Sequence, residues 1–63
     1  MNKDRRAKLS QALDLVSECR DEQEEAYDNL PENFRETESG MNMEAEVESM
    51  QDITDLLEEL VHG

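Results

Sequence analysis

The apolar positions of this 63-residue chain fall into two stretches of helical period. In the first, Leu9, Ala12, Leu13, Val16, Cys19, Ala26, Tyr27 and Leu30, with Leu15 beside them, recur mostly at three- and four-residue intervals. At about 100° per residue they occupy an arc of roughly 160°. The spacing predicts a helix over about 3–28. It also fits a heptad, with Leu9, Val16, Gln23 and Leu30 at one core position and Ala12, Cys19 and Ala26 at the other. Gln23 is the polar interruption in that seam. In the second stretch Met43, Val47, Met50, Thr54, Leu57 and Val61 follow a 4-3-4-3-4 spacing, which predicts a helix over about 42–61. Ile53, Leu56 and Leu60 widen its C-terminal half to roughly 180°. No segment alternates with period two over a strand's length, β-branched residues are few, and strong helix formers are plentiful, so the fold class is all-α.

The connection over 29–41 carries the only proline. Pro31 lacks the amide the first helix would use, and it disfavours helix at Leu30, so the chain breaks near Asp28–Leu30. Proline suits the first position of a new helix, with Asp28 or Asn29 as the cap. A short helical turn is therefore expected from Pro31 to about Glu36, closed by Ser39-Gly40, with Gly40 or Asn42 opening the second helix. Leu30 and Phe34 are expected to plug the loop end. Two helices so linked form an antiparallel hairpin, a single domain of residues 1–63. A hairpin encloses no interior, and both apolar arcs are wider than one neighbour needs. A two-stranded seam leaves Leu56 and Leu60 wet. The economical outcome is a homodimer in which each chain gives two helices to a four-helix bundle. Its self-association residues are Leu9, Leu13, Val16, Cys19, Met50, Ile53, Leu56, Leu57 and Leu60. The alternative is that the spare surface meets a different protein.

Charge adds a second asymmetry. The chain holds 18 acidic and 6 basic side chains, a formal charge of −12. Residues 1–20 carry a net +2, while residues 21–63 set only Arg35 against 15 carboxylates. The excess repels phosphates, which argues against direct nucleic-acid binding. Lys3, Arg5, Arg6 and Lys8 oppose the dipole of the helix they begin. An antiparallel second helix offers a reason, since it returns Asp52, Asp55, Glu58 and Glu59 towards that basic start. The remaining acids crowd the loop end. They form either a solvated, solubilising surface or a negative surface that docks on a basic partner. Spaced carboxylates on a rigid helix imitate nucleic-acid phosphates, so the natural partner is a nucleic-acid-binding protein. The residues nominated for that contact are Glu22, Glu25, Asp28, Glu32, Glu36, Glu44 and Glu48.

Catalytic chemistry is not signalled. His62 is the only histidine and sits at a helix C-terminus, where its charge is welcome. Cys19 lies on the apolar stripe as a small hydrophobe and has no neighbouring His. Only Gly40 and Gly63 are available, so there is no glycine-rich phosphate loop. Asp21/Glu25 and Glu44/Glu48 each share a helix face, but neither the Glu-x-x-His pairs of a di-iron bundle nor an EF-hand loop occurs. No enzyme activity, cofactor or metal is expected. Apolar runs never exceed two residues, so neither a membrane span nor a signal-peptide core is expected.

The stretch Arg20-Asp21-Glu22-Gln23-Glu24-Glu25-Ala26-Tyr27-Asp28-Asn29-Leu30-Pro31-Glu32-Asn33, followed by Ser39-Gly40 and an acidic amphipathic helix, resembles a group of small acidic proteins carried by phages and prophages. The resemblance covers nearly the whole chain, and its sharpest element is the Asn29-Leu30-Pro31-Glu32 turn. It implies a small helical hairpin, a cytoplasmic location in a bacterial host, and the class of inhibitors that block host nucleases or other defence proteins. It assigns no catalytic or binding residue. The leading expectation is thus a non-enzymatic acidic module that occludes a basic host protein electrostatically. The alternative is a structural or adaptor oligomer that binds through an apolar helix face, chiefly Leu15, Ile53, Leu56 and Leu60.

Overall fold

A computed structural model describes all 63 residues, arranged as helices α1 (Lys3–Asp28), α2 (Glu32–Arg35) and α3 (Glu38–His62). The long helices α1 and α3 pack against each other as an antiparallel hairpin, and α2 forms the corner between them. The result is a rod of 48 × 14 × 13 Å. Its radius of gyration is 14.5 Å, against about 11 Å for a compact chain of this length.

Each long helix begins at a side-chain cap. Asn2 accepts a hydrogen bond from the Arg5 amide at 2.9 Å, and Thr37 accepts one from the Gly40 amide at 3.3 Å. Both caps satisfy one of the amides that a first turn leaves without a partner. The start of α3 corrects the expectation of a helix from 42. Thr37 is a favoured cap residue followed by an acid, and the helix uses it at once, taking Ser39 and Gly40 into its first turn. The connection shrinks accordingly. Pro31 itself caps α2 in place of Asp28 or Asn29, without a side-chain hydrogen bond, so that helix begins at Glu32, one residue later than expected.

Three cross-seam hydrogen bonds fix the register of the hairpin. Arg20 Nη1 donates to Gln51 Oε1 at 3.0 Å, Gln23 Nε2 to Glu46 Oε2 at 3.1 Å, and the Tyr27 hydroxyl to Glu44 Oε2 at 3.3 Å. Continued at helical spacing, that register sets Leu9 level with Val61, Leu13 with Leu57, Val16 with Thr54 and Leu30 with Gly40. The α3 side of the seam is the expected one: Met43, Val47, Met50, Thr54, Leu57 and Val61 are all buried or half-buried. The α1 side differs. Leu9, Leu13, Val16, Arg20, Gln23, Tyr27 and Leu30 are half-buried, whereas Cys19 and Ala26 are exposed. Arg20 and Tyr27 take the places the heptad gave to Cys19 and Ala26, because only long side chains reach across to Gln51 and Glu44. The seam is therefore apolar on both sides towards the open end, whereas towards the loop Arg20, Gln23 and Tyr27 of α1 lie over the apolar Met43, Val47 and Met50 of α3.

The rod has no buried apolar side chain; Thr54, 1% exposed, is the only buried side chain. Its hydroxyl donates to the Met50 carbonyl at 2.8 Å, so the polar group is satisfied within its own helix. The corner depends on close backbone approach. A Cβ on Gly40 would stand 2.7 Å from the Arg35 Cα and closer still to the Phe34 carbonyl oxygen. Main chain thus packs on main chain at this corner. Phe34 is 53% exposed rather than buried, and Leu30 alone of the expected pair is half-buried.

Replacing an exposed helical glycine with alanine gains about 1 kcal/mol. At Gly40 the collision with backbone reverses the sign, with an expected loss of about 1–3 kcal/mol. Gly40→Ala should therefore lower the thermal midpoint, followed by far-ultraviolet circular dichroism, by on the order of 5–15 °C. A raised midpoint would show that the α2–α3 approach is loose.

Candidate functional site

The α1–α3 seam divides the rod into two flanks of unlike chemistry. One carries the Arg20–Gln51 and Tyr27–Glu44 contacts, and helical spacing adds Asp21, Glu24, Asp28, Glu48 and Asp55 to it. The other carries Gln23–Glu46 and an open groove lined by Cys19, Asn42, Ala45 and Ser49. Ala12, Leu15, Ile53, Leu56 and Leu60 fall on this second flank. The first flank is acidic and the second is apolar over its open-end half.

The nominated carboxylates are not all brought together. Asp28, Glu44 and Glu48 share the acidic flank. Glu32 and Glu36 stand on or beside α2 at the tip, where with Asn33 and Arg35 they line a shallow polar depression. Glu22 falls on the apolar flank, and Glu25 faces away from α3. Asp21 and Glu24, outside the nominated set, belong to the acidic flank. The nominated self-association residues also divide. Leu9, Leu13, Val16, Met50 and Leu57 are half-buried in the seam, whereas Cys19, Ile53, Leu56 and Leu60 remain exposed. Leu56 is 61% exposed and Leu60 49%, as a two-helix seam requires.

Little of this charge is neutralised internally. The one ion pair joins Arg20 and Asp21 at 3.0 Å. No pairs form between the basic start of α1 and Asp52, Asp55, Glu58 or Glu59, contrary to expectation. The register gives the reason: α3 ends level with about residue 7, so Lys3, Arg5 and Arg6 overhang it, and the α3 acids lie further down the rod. Asp55 instead accepts from Gln51 Nε2 at 2.9 Å. Arg35, the only cation after Arg20, serves the corner. Its Nη2 donates to the Asp28 carbonyl at 2.7 Å, and its guanidinium lies 5.4 Å from the centre of the Tyr27 ring. A positive group thereby covers the negative end of the α1 dipole, which the surrounding acids would otherwise aggravate.

Two exposed apolar side chains, Phe34 and Met41 (59% exposed), stand at the acidic loop end. Phe34 as a surface feature was missed because an aromatic three residues after Pro31 reads as a plug. No three His, Cys, Asp or Glu side chains converge as a metal-holding group. No helix is long and apolar enough to cross a membrane. Comparison with protein-family profiles, curated proteins and solved structures yields no match.

The Tyr27 phenol has a pKa raised above its ordinary value of 10.0, first by desolvation and then by the charge and hydrogen bond of Glu44, with Arg35 opposing. Because the folded value is the higher one, the neutral phenol's contribution is fully present below pH 10.0 and is lost as pH rises through the raised value. Titration of tyrosinate absorbance should give a midpoint above that of free tyrosine. Glu44→Gln should move it back towards 10.0. An unchanged midpoint would show that the cross-seam bond is absent in solution.

Proposed function

We propose that this chain is a non-enzymatic protein-binding module whose acidic flank and tip cover a basic, nucleic-acid-facing surface of another protein. The observation that carries the reading is the separation of charge along the rod. The cations gather at the open end, and of the carboxylates in the loop half only that of Asp21 meets a side-chain cation, Arg20. Two parallel rows, Glu24 and Asp28 on α1 and Glu44 and Glu48 on α3, run along one rigid face with i,i+4 spacing. Such rows offer a basic groove the anionic pattern it uses for phosphates. Phe34 and Met41 add apolar contact area at the same end, the kind of anchor that contributes most in protein interfaces. The resemblance to small acidic phage proteins supports the same class, an inhibitor of a host nucleic-acid-binding or defence protein acting by electrostatic occlusion in the bacterial cytoplasm.

The mechanism is competition. A partner whose phosphate-binding surface is covered by carboxylates cannot hold nucleic acid there. Long-range attraction accelerates encounter, and the aromatic anchor slows departure. Glu24, Glu32, Glu36 and Glu48 are exposed, and their carboxylates accept no hydrogen bond in the rod, so reversing them to Lys leaves the fold intact.

The test uses the intact chain as bait in a bacterial lysate at about 0.1 M salt, where charges act over ~10 Å. The captured protein should be one that binds nucleic acid. The fourfold Lys variant should retain less than about a tenth of it, and Phe34→Ala should release it faster. Undiminished capture by the Lys variant, or capture that survives about 1 M salt, would reject the electrostatic mechanism and favour an adaptor binding through apolar surface.

A further inference from the structure

We infer that the apolar flank is covered by a second copy of the same chain, packed antiparallel, so that Lys8 of each copy meets Glu22 of the other. This goes beyond the acidic-surface reading and does not depend on it, because the two flanks lie on opposite sides of the seam.

Three observations converge. First, the accessible surface is 4888 Å², against roughly 4,200 Å² for a folded monomer of this mass. The excess is close to the area of about 800 Å² that each partner contributes to a standard interface. Second, four of the seven large apolar side chains that stay exposed are gathered in one place. Leu15, 65% exposed, Leu56, 61% exposed, Ile53 and Leu60 all fall on one flank, beside Ala12 and Cys19. Third, Leu15 and Leu56 sit almost level and near the middle of the 48 Å rod. A two-fold axis there superposes the patch on itself while overlapping the rods along their length.

Charge then selects between the two orientations that such an axis allows. A parallel pair would set the two acidic loop ends side by side, each of net −11 over residues 18–52. An antiparallel pair sets each acidic half against an open end of net −1 over residues 1–17 and 53–63, whose cations Lys3, Arg5, Arg6 and Lys8 lie on α1. With α1 over α1 of the second copy and Leu15 at the axis, Lys8 and Glu22 lie equally far from it on either side. Both belong to the apolar flank, where the register of a single chain leaves them without partners. Leu60 of one copy then faces the groove beside Cys19 and Ser49 of the other, where small side chains leave room for it. Cations placed against the dipole of their own helix, and overhanging their own α3, thereby find carboxylates in a neighbour. The four helices form a bundle whose acidic flanks both remain outside.

The experiment labels Asn33→Cys in a Cys19→Ser background with nitroxides and measures the spin–spin distance at roughly 100 µM chain. The antiparallel pair places the labels about the 48 Å rod length apart. A separation below ~20 Å, as in a parallel pair, or no dipolar coupling at all, as in a monomer, overturns the inference. In sedimentation, Lys8→Glu should weaken self-association roughly five- to tenfold, and adding Glu22→Lys should restore it. Loss without restoration, or no loss, removes the proposed pairing. Failure here leaves capture of a basic protein by the acidic flank unaffected, so the two readings fail separately.

Discussion

The register of α1 on α3 is the constraint from which the rest of the molecule follows. Two helices meet along a line, and only the side chains on that line lose their water. Here the line runs Leu9, Leu13, Val16, Arg20, Gln23 and Tyr27 against Val61, Leu57, Thr54, Met50, Val47 and Met43. Near the open end it is filled by branched aliphatics, and towards the loop by long polar side chains of α1 that reach across Met50, Val47 and Met43. Since a line has no interior, Thr54 alone becomes a buried side chain. Every apolar residue more than a quarter turn from the line stays wet, and the same geometry decides which carboxylates can stand in a row.

That line was legible in α3 and partly legible in α1. The 4-3-4-3-4 spacing of α3 named its seam residue by residue, and the same reasoning identified Leu56 and Leu60 as surplus. In α1 the pattern favoured Cys19 and Ala26 because they are apolar. The helix instead turns Arg20 inward, together with Tyr27, which the apolar arc contained and the heptad passed over, since their length lets them bond to Gln51 and Glu44. An apolar-periodicity argument weighs hydrophobicity and is blind to reach. The beginning of α3 was missed for a related reason. Glycine at position 40 reads as an interruption, yet Thr37 caps the helix before it and the missing Cβ admits the backbone of α2.

The acidic surface was legible as composition and less so as geometry. Seven carboxylates were nominated by their place in the chain, but only Asp28, Glu44 and Glu48 share a flank, with Glu32 and Glu36 at the tip. Glu22 and Glu25 are separated from them by rotation about α1. The basic start shows the reverse error, since sign alone suggested pairing with the α3 acids. The two helices end at different levels, however, and ion pairs need proximity within a few ångströms to matter.

Tyr27 carries one consequence of its own. It is the chain's single tyrosine, and tryptophan is absent. Its ring lies beneath the Arg35 guanidinium and beside Glu44, at the corner and far from the aliphatic half of the seam. Intrinsic fluorescence therefore views the bend alone, whereas a helix signal averages the whole rod. The two probes trace one curve only in a molecule that melts as a unit. Their divergence would reveal a zipper that opens from the polar end while its oily end still holds.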